Sequence, residues 1–164
     1  MRRVLAITCL LAVAMLSTGC ALVRPNTPLP SAQAQLWRGR LALRVDTLQP
    51  QSFASAFELS GTPDAGELLL TTPWGTTLAQ LSWSAQSATW RTPEATRSFA
   101  SFDEMMVQVL GSAIPVNALF AWLQGQALSA SGWSADLSDF AAGRITAQRT
   151  VPAPGAELRL TLER

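Results

Sequence analysis

From Arg38 onward the chain alternates between apolar and polar residues in short runs. In the first run Leu41, Leu43 and Val45 share one face, and charged or small residues occupy the other. A period of two is typical of a β-strand that buries one face. Similar runs recur about every ten residues, separated by turn signals such as Gly61-Thr-Pro-Asp-Ala-Gly66, a spacing typical of sandwiches and barrels. We therefore predict a meander of antiparallel strands.

Between Ser101 and Gly125 the apolar period becomes that of an α-helix. Two short helices are expected, with a break near Gly111 to Pro115. Pro115 is acceptable at the first position of the second helix. Alternation then returns in three runs: Trp133–Phe140, Arg144–Thr150 and Glu157–Glu163. The pattern predicts a mainly β (α+β) domain, in which a strongly curved antiparallel sheet carries a helical insert over one side.

A curved sheet with few helices on its concave side can enclose a hollow interior that binds a ligand. The chain has six tryptophans, six phenylalanines and no tyrosine, so its aromatic surface carries no phenolic groups. On composition alone, these rings would fill a solid core equally well. A cavity and a solid core both remain open at this point.

Residues 1–19 resemble the signal peptide of a bacterial lipoprotein. Two arginines precede an apolar run from Val4 to Leu16. The run is too short to span a membrane, which takes about 20 residues. The following small residues and Cys20 are similar to a lipobox, in which Cys20 becomes the first mature residue and carries the lipid anchor. An ordinary secretory signal, with Cys20 incidental, is the alternative. The residue after the cysteine is Ala21 and not aspartate. In this respect the chain resembles lipoproteins that are sorted to the outer membrane.

Residues 20–34 contain Pro25, Pro28 and Pro30 among small polar residues and show no hydrophobic period. We expect them to form a flexible tether that holds a folded domain, residues 35–164, away from the membrane. The second cysteine, Cys9, lies in the predicted signal peptide. No disulfide is therefore expected in the mature chain.

The residue types that are missing exclude most catalytic chemistry. The chain has no histidine, lysine or tyrosine, so a serine nucleophile would lack its usual base and zinc would lack its usual ligands. The adjacent acids Asp103 and Glu104 are better explained as the first turn of a helix capped by Ser101 than as catalytic carboxylates. With 12 arginines and 11 acidic residues the chain is nearly neutral, which disfavours nucleic-acid binding. We expect no enzyme activity, no cofactor and no metal site.

Several motifs, in order along the mature domain, resemble the LolB family. Trp37-Arg-Gly-Arg-Leu-Ala-Leu43 looks like the first strand of that family, and Leu68-x-Leu70, Pro73-Trp-Gly75 and Leu78-Ala-x-Leu81 are similar to its central hairpin. The most specific match is Pro115-Val-x-x-Leu-x-x-Trp-Leu-x-Gly125, which resembles the lid helix and is followed by Gly132-Trp133. The chain departs from the family in lacking a tyrosine after Trp133 and a tryptophan in the strand Ala54 to Leu59.

The resemblance implies an incomplete antiparallel β-barrel with a helical lid, Met105 to Leu123, over a hydrophobic cavity. It implies a lipid-anchored receptor that faces the periplasm from the outer membrane and is a monomer. Its implied partners are a LolA-like periplasmic lipoprotein carrier, the acyl chains of client lipoproteins and outer-membrane phospholipid. Such a receptor takes acylated lipoproteins from the carrier and inserts them into the outer membrane.

The resemblance also assigns roles to residues. Cys20 is the lipid anchor, and the turn Pro73, Trp74 and Gly75 inserts into the membrane through Trp74; the alternative is that this ring folds back over the core. The residues expected to line the acyl cavity are Leu41, Leu43, Phe57, Leu70, Leu81, Trp83, Leu119, Trp122 and Leu160.

A second function remains open on the sequence alone. A non-carrier assembly lipoprotein would use the same sheet to bind a protein or lipopolysaccharide partner in the outer membrane. An enzyme acting on envelope lipid or glycan is the third class, and the missing residue types argue against it.

Overall fold

The computed structural model describes residues 35–111 and 113–163. The predicted signal peptide, the predicted lipid anchor Cys20 and the predicted tether therefore lie outside the described residues. The described part contains one sheet, two α-helices and a short 3₁₀ turn. It lies within the domain predicted for residues 35–164.

Nine antiparallel strands form the sheet in the order β6-β5-β4-β3-β2-β1-β9-β8-β7. The edge strands β6 and β7 do not pair with each other, so the sheet is not closed, which is consistent with an incomplete barrel. The strands are β1 (Gln35–Asp46), β2 (Gln51–Gly61), β3 (Gly66–Thr71), β4 (Thr77–Ser84), β5 (Ser87–Arg91), β6 (Thr96–Phe99), β7 (Trp133–Asp136), β8 (Arg144–Arg149) and β9 (Gly155–Leu162). The predicted mainly β, antiparallel fold is confirmed.

The strand that begins at Trp133 is shorter than its alternation predicts. It ends at Asp136 rather than at Phe140, and a 3₁₀ turn occupies Phe140–Ala142. The backbone N–H of Ser138 donates to Asp136 Oδ1 at 2.9 Å, and this bond lowers the pKa of the Asp136 carboxyl. Such a local side-chain bond competes with the sheet ladder and ends the strand.

The helices are α1 (Phe102–Leu110) and α2 (Val116–Leu123). The predicted cap at Ser101 is confirmed, because its Oγ accepts the N–H of Glu104 at 3.1 Å. The Glu104 carboxylate accepts in turn from the N–H of Ala100 at 2.9 Å. Helix α1 ends at Leu110, with Gly111 as its C-cap at φ 70°, and Pro115 is the N-cap of α2 rather than its first residue.

The hairpin turns divide between the two ends of the sheet. One end, which we call the rim, carries the turns of residues 47–50, 72–76, 92–95 and 150–154. The turns are displaced from one another along the strands. Asp46 pairs with Gly155 at the end of β1, whereas Thr71 pairs with Ala56, which is level with Arg40 in β1. Such a displacement is typical of a barrel whose strands tilt from its axis. The other end, the base, carries the turns of residues 62–65, 85–86 and 137–143, and β1 starts there at Gln35.

Four aromatic rings pack the helices against the sheet at the base. The Phe120 ring lies 5.4 Å from that of Trp37 and 6.2 Å from that of Trp83, between centroids, and Phe102 lies 5.0 Å from Trp83. The Trp83 indole N–H donates to the Pro63 carbonyl at 3.1 Å. Because a buried indole with its N–H satisfied holds a fixed orientation, this cluster fixes the helices to the base.

Candidate functional site

A pocket lies between the inner face of the sheet and the two helices. Every side chain that lines it is apolar: Leu41, Leu43, Phe53, Phe57, Leu59, Leu68, Leu70, Leu81, Trp90, Phe102, Met106, Leu110, Ile114, Leu119, Leu123, Leu158 and Leu160. The strand residues in this set come from β1 to β5 and β9, and the helical ones from α1 and α2. The lining is suited to hydrocarbon and offers nothing to a charged ligand.

Seven of the nine residues expected to line an acyl cavity lie together around this pocket: Leu41, Leu43, Phe57, Leu70, Leu81, Leu119 and Leu160. Trp83 is not among the lining residues and packs in the aromatic cluster at the base. Trp122 is fully buried elsewhere, with its ring centroid 6.2 Å from that of Trp133 and its indole N–H bonded to the Leu128 carbonyl at 2.8 Å. Both tryptophans hold elements together rather than facing the pocket.

Other lining residues were not assigned from the sequence, although most of them carried a signal. Phe53 and Leu59 share the alternating face of Phe57, and Leu158 shares that of Leu160. Met106, Leu110 and Leu123 lie on the apolar side of the predicted lid, whereas Phe102 precedes it, at the first position of α1. Ile114 lies in the connection between the helices and belongs to no periodic run, so no pattern identifies it.

The pocket is small in the conformation that the structure shows. Its cavity volume is about 60 Å³, less than half that of an engineered apolar cavity of about 150 Å³ that binds benzene. A long acyl chain has several times the volume of benzene. In this conformation the helices therefore fill most of the space between them and the sheet.

A groove at the rim continues from the pocket. It has a volume of about 470 Å³ and shares Leu43, Phe53, Trp90 and Leu110 with the lining of the pocket. Its remaining lining residues are Val45, Gln51, Ser52 and Val109. The groove therefore adjoins the pocket across these shared side chains, at the rim and beside the C-terminal end of α1, and we call it the mouth of the pocket.

One hydrogen bond joins the connection between the helices to an edge strand of the sheet. The indole N–H of Trp133, a side chain that is 1% exposed, donates to the carbonyl of Ala113 at 2.8 Å. Ala113 belongs to the segment between α1 and α2, whereas Trp133 starts the edge strand β7. We call this bond the latch.

The turn between β3 and β4 projects Trp74 from the rim. The turn is tight, since the N–H of Gly75 donates to the Thr72 carbonyl at 2.9 Å and Gly75 has φ 84°. The Trp74 side chain is 93% exposed. The structure thus excludes the alternative in which this ring folds back over the core.

Among the residues that the structure describes, charged side chains lie at the surface, with one exception. Arg149 is buried, and its Nη2 donates to the Pro154 carbonyl at 2.8 Å while its guanidinium lies 5.8 Å from the Trp133 ring centroid. Among residues 35–111 and 113–163 no cluster of three or more potential metal-ligating side chains occurs. None of the helices within the same residues has the length and apolarity that a membrane crossing requires.

Comparison with known proteins agrees with this arrangement. A family model described as outer membrane lipoprotein LolB matches residues 34–158. The outer-membrane lipoprotein LolB of Shewanella woodyi (strain ATCC 51908 / MS32) is 33% identical over 125 residues, which is 72% of this chain and 57% of that relative. The chain thus spans little more than half the length of this relative. Because the family match runs from the start of β1 into β9 and covers more than half of the chain, the protein belongs to the LolB family.

Proposed function

We propose that this protein is an outer-membrane lipoprotein that accepts acylated lipoproteins from a LolA-like periplasmic carrier and inserts them into the outer membrane. The observation that carries the proposal is the apolar pocket between the sheet and the helices, in a chain of the LolB family. The name of the relative, outer-membrane lipoprotein LolB, supports the same location and the same class of task.

The physics of the task explains why a receiver needs such a pocket. Each buried methylene contributes about 0.8 kcal/mol, so the acyl chains of one lipoprotein resist transfer into water by tens of kcal/mol. A receiver with an apolar cavity cancels most of this term, because the chains leave one apolar environment for another. A remaining difference of about 1.4 kcal/mol favours the receiver tenfold, so the transfer itself needs no nucleotide.

Uptake requires α1 and α2 to act as a lid. The closed pocket is too small for an acyl chain, so the helices must move away from the sheet before a chain can enter. The aromatic cluster fixes them at the base, and the latch holds the segment between them near the rim. Opening therefore starts at the rim, where the groove already reaches the pocket, and Met106 adapts its flexible side chain to the incoming chain.

In this proposal, two features hold the protein on the membrane. Cys20 carries the lipid anchor, and the following residues tether the domain, which faces the periplasm. Trp74 inserts into the interface of the outer membrane, since an exposed indole has an apolar ring and an N–H that stays hydrated. Acyl chains are released where this turn contacts phospholipid.

The proposal is tested by the transfer of a radiolabelled acylated lipoprotein from a purified periplasmic carrier to this protein and then to liposomes. The variants are Trp74→Glu and, as the conservative control, Trp74→Leu. We expect all three proteins to accept the lipoprotein. Delivery to liposomes should fail with Trp74→Glu, because a charge is costly to insert in the membrane, and should persist with Trp74→Leu.

Other results would change the assignment. If the folded protein takes up no lipoprotein, with or without the substitutions, the carrier function is wrong and the assembly-lipoprotein alternative is favoured. If Trp74→Glu delivers as well as the unsubstituted protein, the receptor function stands and the role of Trp74 is wrong.

A further inference from the structure

We infer that the rim is a bilayer-docking surface with three apolar contact points, Leu48, Trp74 and Val151, which together hold the mouth of the pocket against lipid. The inference rests on the proposed function and extends it, because two further turns join Trp74 in the contact. The partner is the surface of a phospholipid bilayer.

The exposures single out these three residues. Leu48 is 106% exposed, Trp74 93% and Val151 71%, whereas each of the other exposed large hydrophobic side chains among the described residues is at most 51% exposed. The three belong to three different turns, and all three turns lie at the rim. Covering large, fully exposed apolar side chains with an apolar environment lowers the free energy.

The composition of the turns favours lipid over water. Residues 47–50, 72–76 and 150–154 include no charged side chain, and each apolar tip has a threonine and a proline nearby in its turn. The fourth rim turn carries Glu94 instead of an apolar tip. Since a charged side chain is expensive to bring into the membrane, the contact runs along the three uncharged turns and stops before the fourth.

The spacing of the tips favours a bilayer over a protein partner. Successive rim turns lie two strands apart in the sheet, about 10 Å across the strand direction. The turn of Trp74 is also displaced along the strands from that of Leu48, because Thr71 pairs with Ala56 and Ala56 with Arg40, short of Asp46. Protein interfaces concentrate their binding energy in a central, closely packed cluster, whereas these tips are separate and protruding. A fluid interface accommodates separate protrusions without matching their shape.

The mouth of the pocket lies beside one of the three contact points. The groove that continues from the pocket is lined by Val45, Gln51 and Phe53, which flank the turn of Leu48 at the rim. When the tips enter the interface, this groove faces the lipid. An acyl chain then passes from pocket to bilayer without crossing water.

The length of the N-terminal segment permits this orientation. The domain starts at Gln35 on the base, so the rim is one length of β1 away, about 40 Å for 12 residues. From Cys20 to Ala34 there are 15 residues, and 15 extended residues span about 50 Å. An anchor at Cys20 and the three tips can therefore lie in the same membrane.

The test uses the lipidated protein in phospholipid vesicles. Cys20 is the single cysteine after the predicted signal peptide, and lipidation occupies its thiol, so new cysteines can be labelled selectively. The variants Leu48→Cys, Trp74→Cys and Val151→Cys carry an environment-sensitive fluorophore, and Leu36→Cys, 47% exposed at the base, is the matched control. Lipids with a spin label on the acyl chain quench probes that enter the bilayer.

We expect quenching at positions 48, 74 and 151 and none at 36. Quenching at 74 alone would overturn the three-point contact and leave the proposed function intact. Quenching at none of the positions would overturn both the rim contact and the insertion of Trp74. Equal quenching at 36 would show that the probes report the anchor, and it would overturn the orientation.

A second measurement uses function. The double variant Leu48→Glu/Val151→Glu should accept lipoproteins at the normal rate and deliver them to liposomes about tenfold more slowly, because the two apolar tips no longer enter the interface. Leu36→Glu makes the same change at the base and should deliver normally. Normal delivery by the double variant would contradict the inference.

Discussion

Ser55 is a polar side chain on the wrong face of its strand. It is 6% exposed, between Phe53 and Phe57 on the inner face of β2, and its hydroxyl has no hydrogen-bond partner within the described structure. A buried polar group without a partner loses its hydration and gains nothing in return. The apolar wall of the domain therefore carries a local loss of stability at this point.

Replacing Ser55 by alanine should stabilise the protein. We expect Ser55→Ala to raise the free energy of unfolding by about 1 kcal/mol, because it removes the unsatisfied hydroxyl and little volume. Urea denaturation followed by tryptophan fluorescence measures the change. Ser52→Ala, on the same strand but exposed, should stay within about 0.5 kcal/mol of the unsubstituted protein. A less stable Ser55→Ala variant would show that the hydroxyl has a partner in solution.

Individual residues also show where sequence reasoning succeeds and where it stops. Alternation identifies which side chains point inward, so Leu41, Leu70 and Leu160 were correctly placed on the inner face. It does not give the height of a residue along the barrel. Trp83 faces inward too, but it lies at the base, beyond the pocket, because the stagger of β3 and β4 places it beside Pro63.

Close contacts between distant segments are likewise absent from any local pattern. Gly39 belongs to the Trp-Arg-Gly-Arg motif, and a Cβ at this position would lie 2.0 Å from the Thr161 carbonyl oxygen. The sequence shows a glycine in a strand, which signals a close approach of some kind. It does not show that the neighbour is β9, more than 100 residues later.

The helices are the elements whose local signals were most complete. A serine cap, acidic residues in the first turn and a glycine at the end predict α1, and the helical period of apolar residues predicts both helices. Their contacts were not predictable, because the latch joins Ala113, which has no periodic signal, to the indole of Trp133. In the proposed lid, the same bond sets how readily the pair of helices leaves the sheet.

Removing the latch should loosen the connection between α1 and α2. In Trp133→Phe the donor to Ala113 is absent, and at about 1 kcal/mol for one hydrogen bond the open state becomes about fivefold more populated. Hydrogen exchange of the amides of residues 107–117 should be faster by this factor. Trp122→Phe is the matched control, since it loses an equally buried indole whose bond goes to Leu128, outside the connection.

The two variants separate the latch from a general loss of packing. Both lose ring volume in the core, so both should be less stable to urea. If exchange in residues 107–117 is accelerated equally in the two, the effect comes from lost packing and the latch has no specific role.

For the molecule as a whole, the distance between base and rim sets a minimum length for the N-terminal segment. The domain begins at the base, and the inferred membrane contact is at the rim. Allowing for the tilt of barrel strands, the β1 length of about 40 Å corresponds to about 30 Å of height. Deleting residues 23–30 leaves seven residues from Cys20 to Ala34, which span about 25 Å when extended.

The shortened protein should accept lipoproteins normally and fail to deliver them to its own membrane, because its rim no longer reaches the bilayer. Transfer to liposomes that contain the lipidated variant measures both steps. A variant in which glycine and serine replace residues 23–30 at equal length should deliver normally. Normal delivery by the shortened protein would contradict the orientation with the rim on the membrane.

The unpaired edges of the sheet determine how the interior volume can change. A closed barrel has a diameter fixed by its strand number and shear, and it widens only when a ladder breaks. Here β6 and β7 are unpaired with each other, and each is only four residues long, which also limits pairing with other chains. The sheet can therefore change its radius through small changes of twist spread over eight pairings, with every interstrand hydrogen bond kept. For the proposed receptor, a wall of this kind would let one sequence accommodate acyl chains of different thickness.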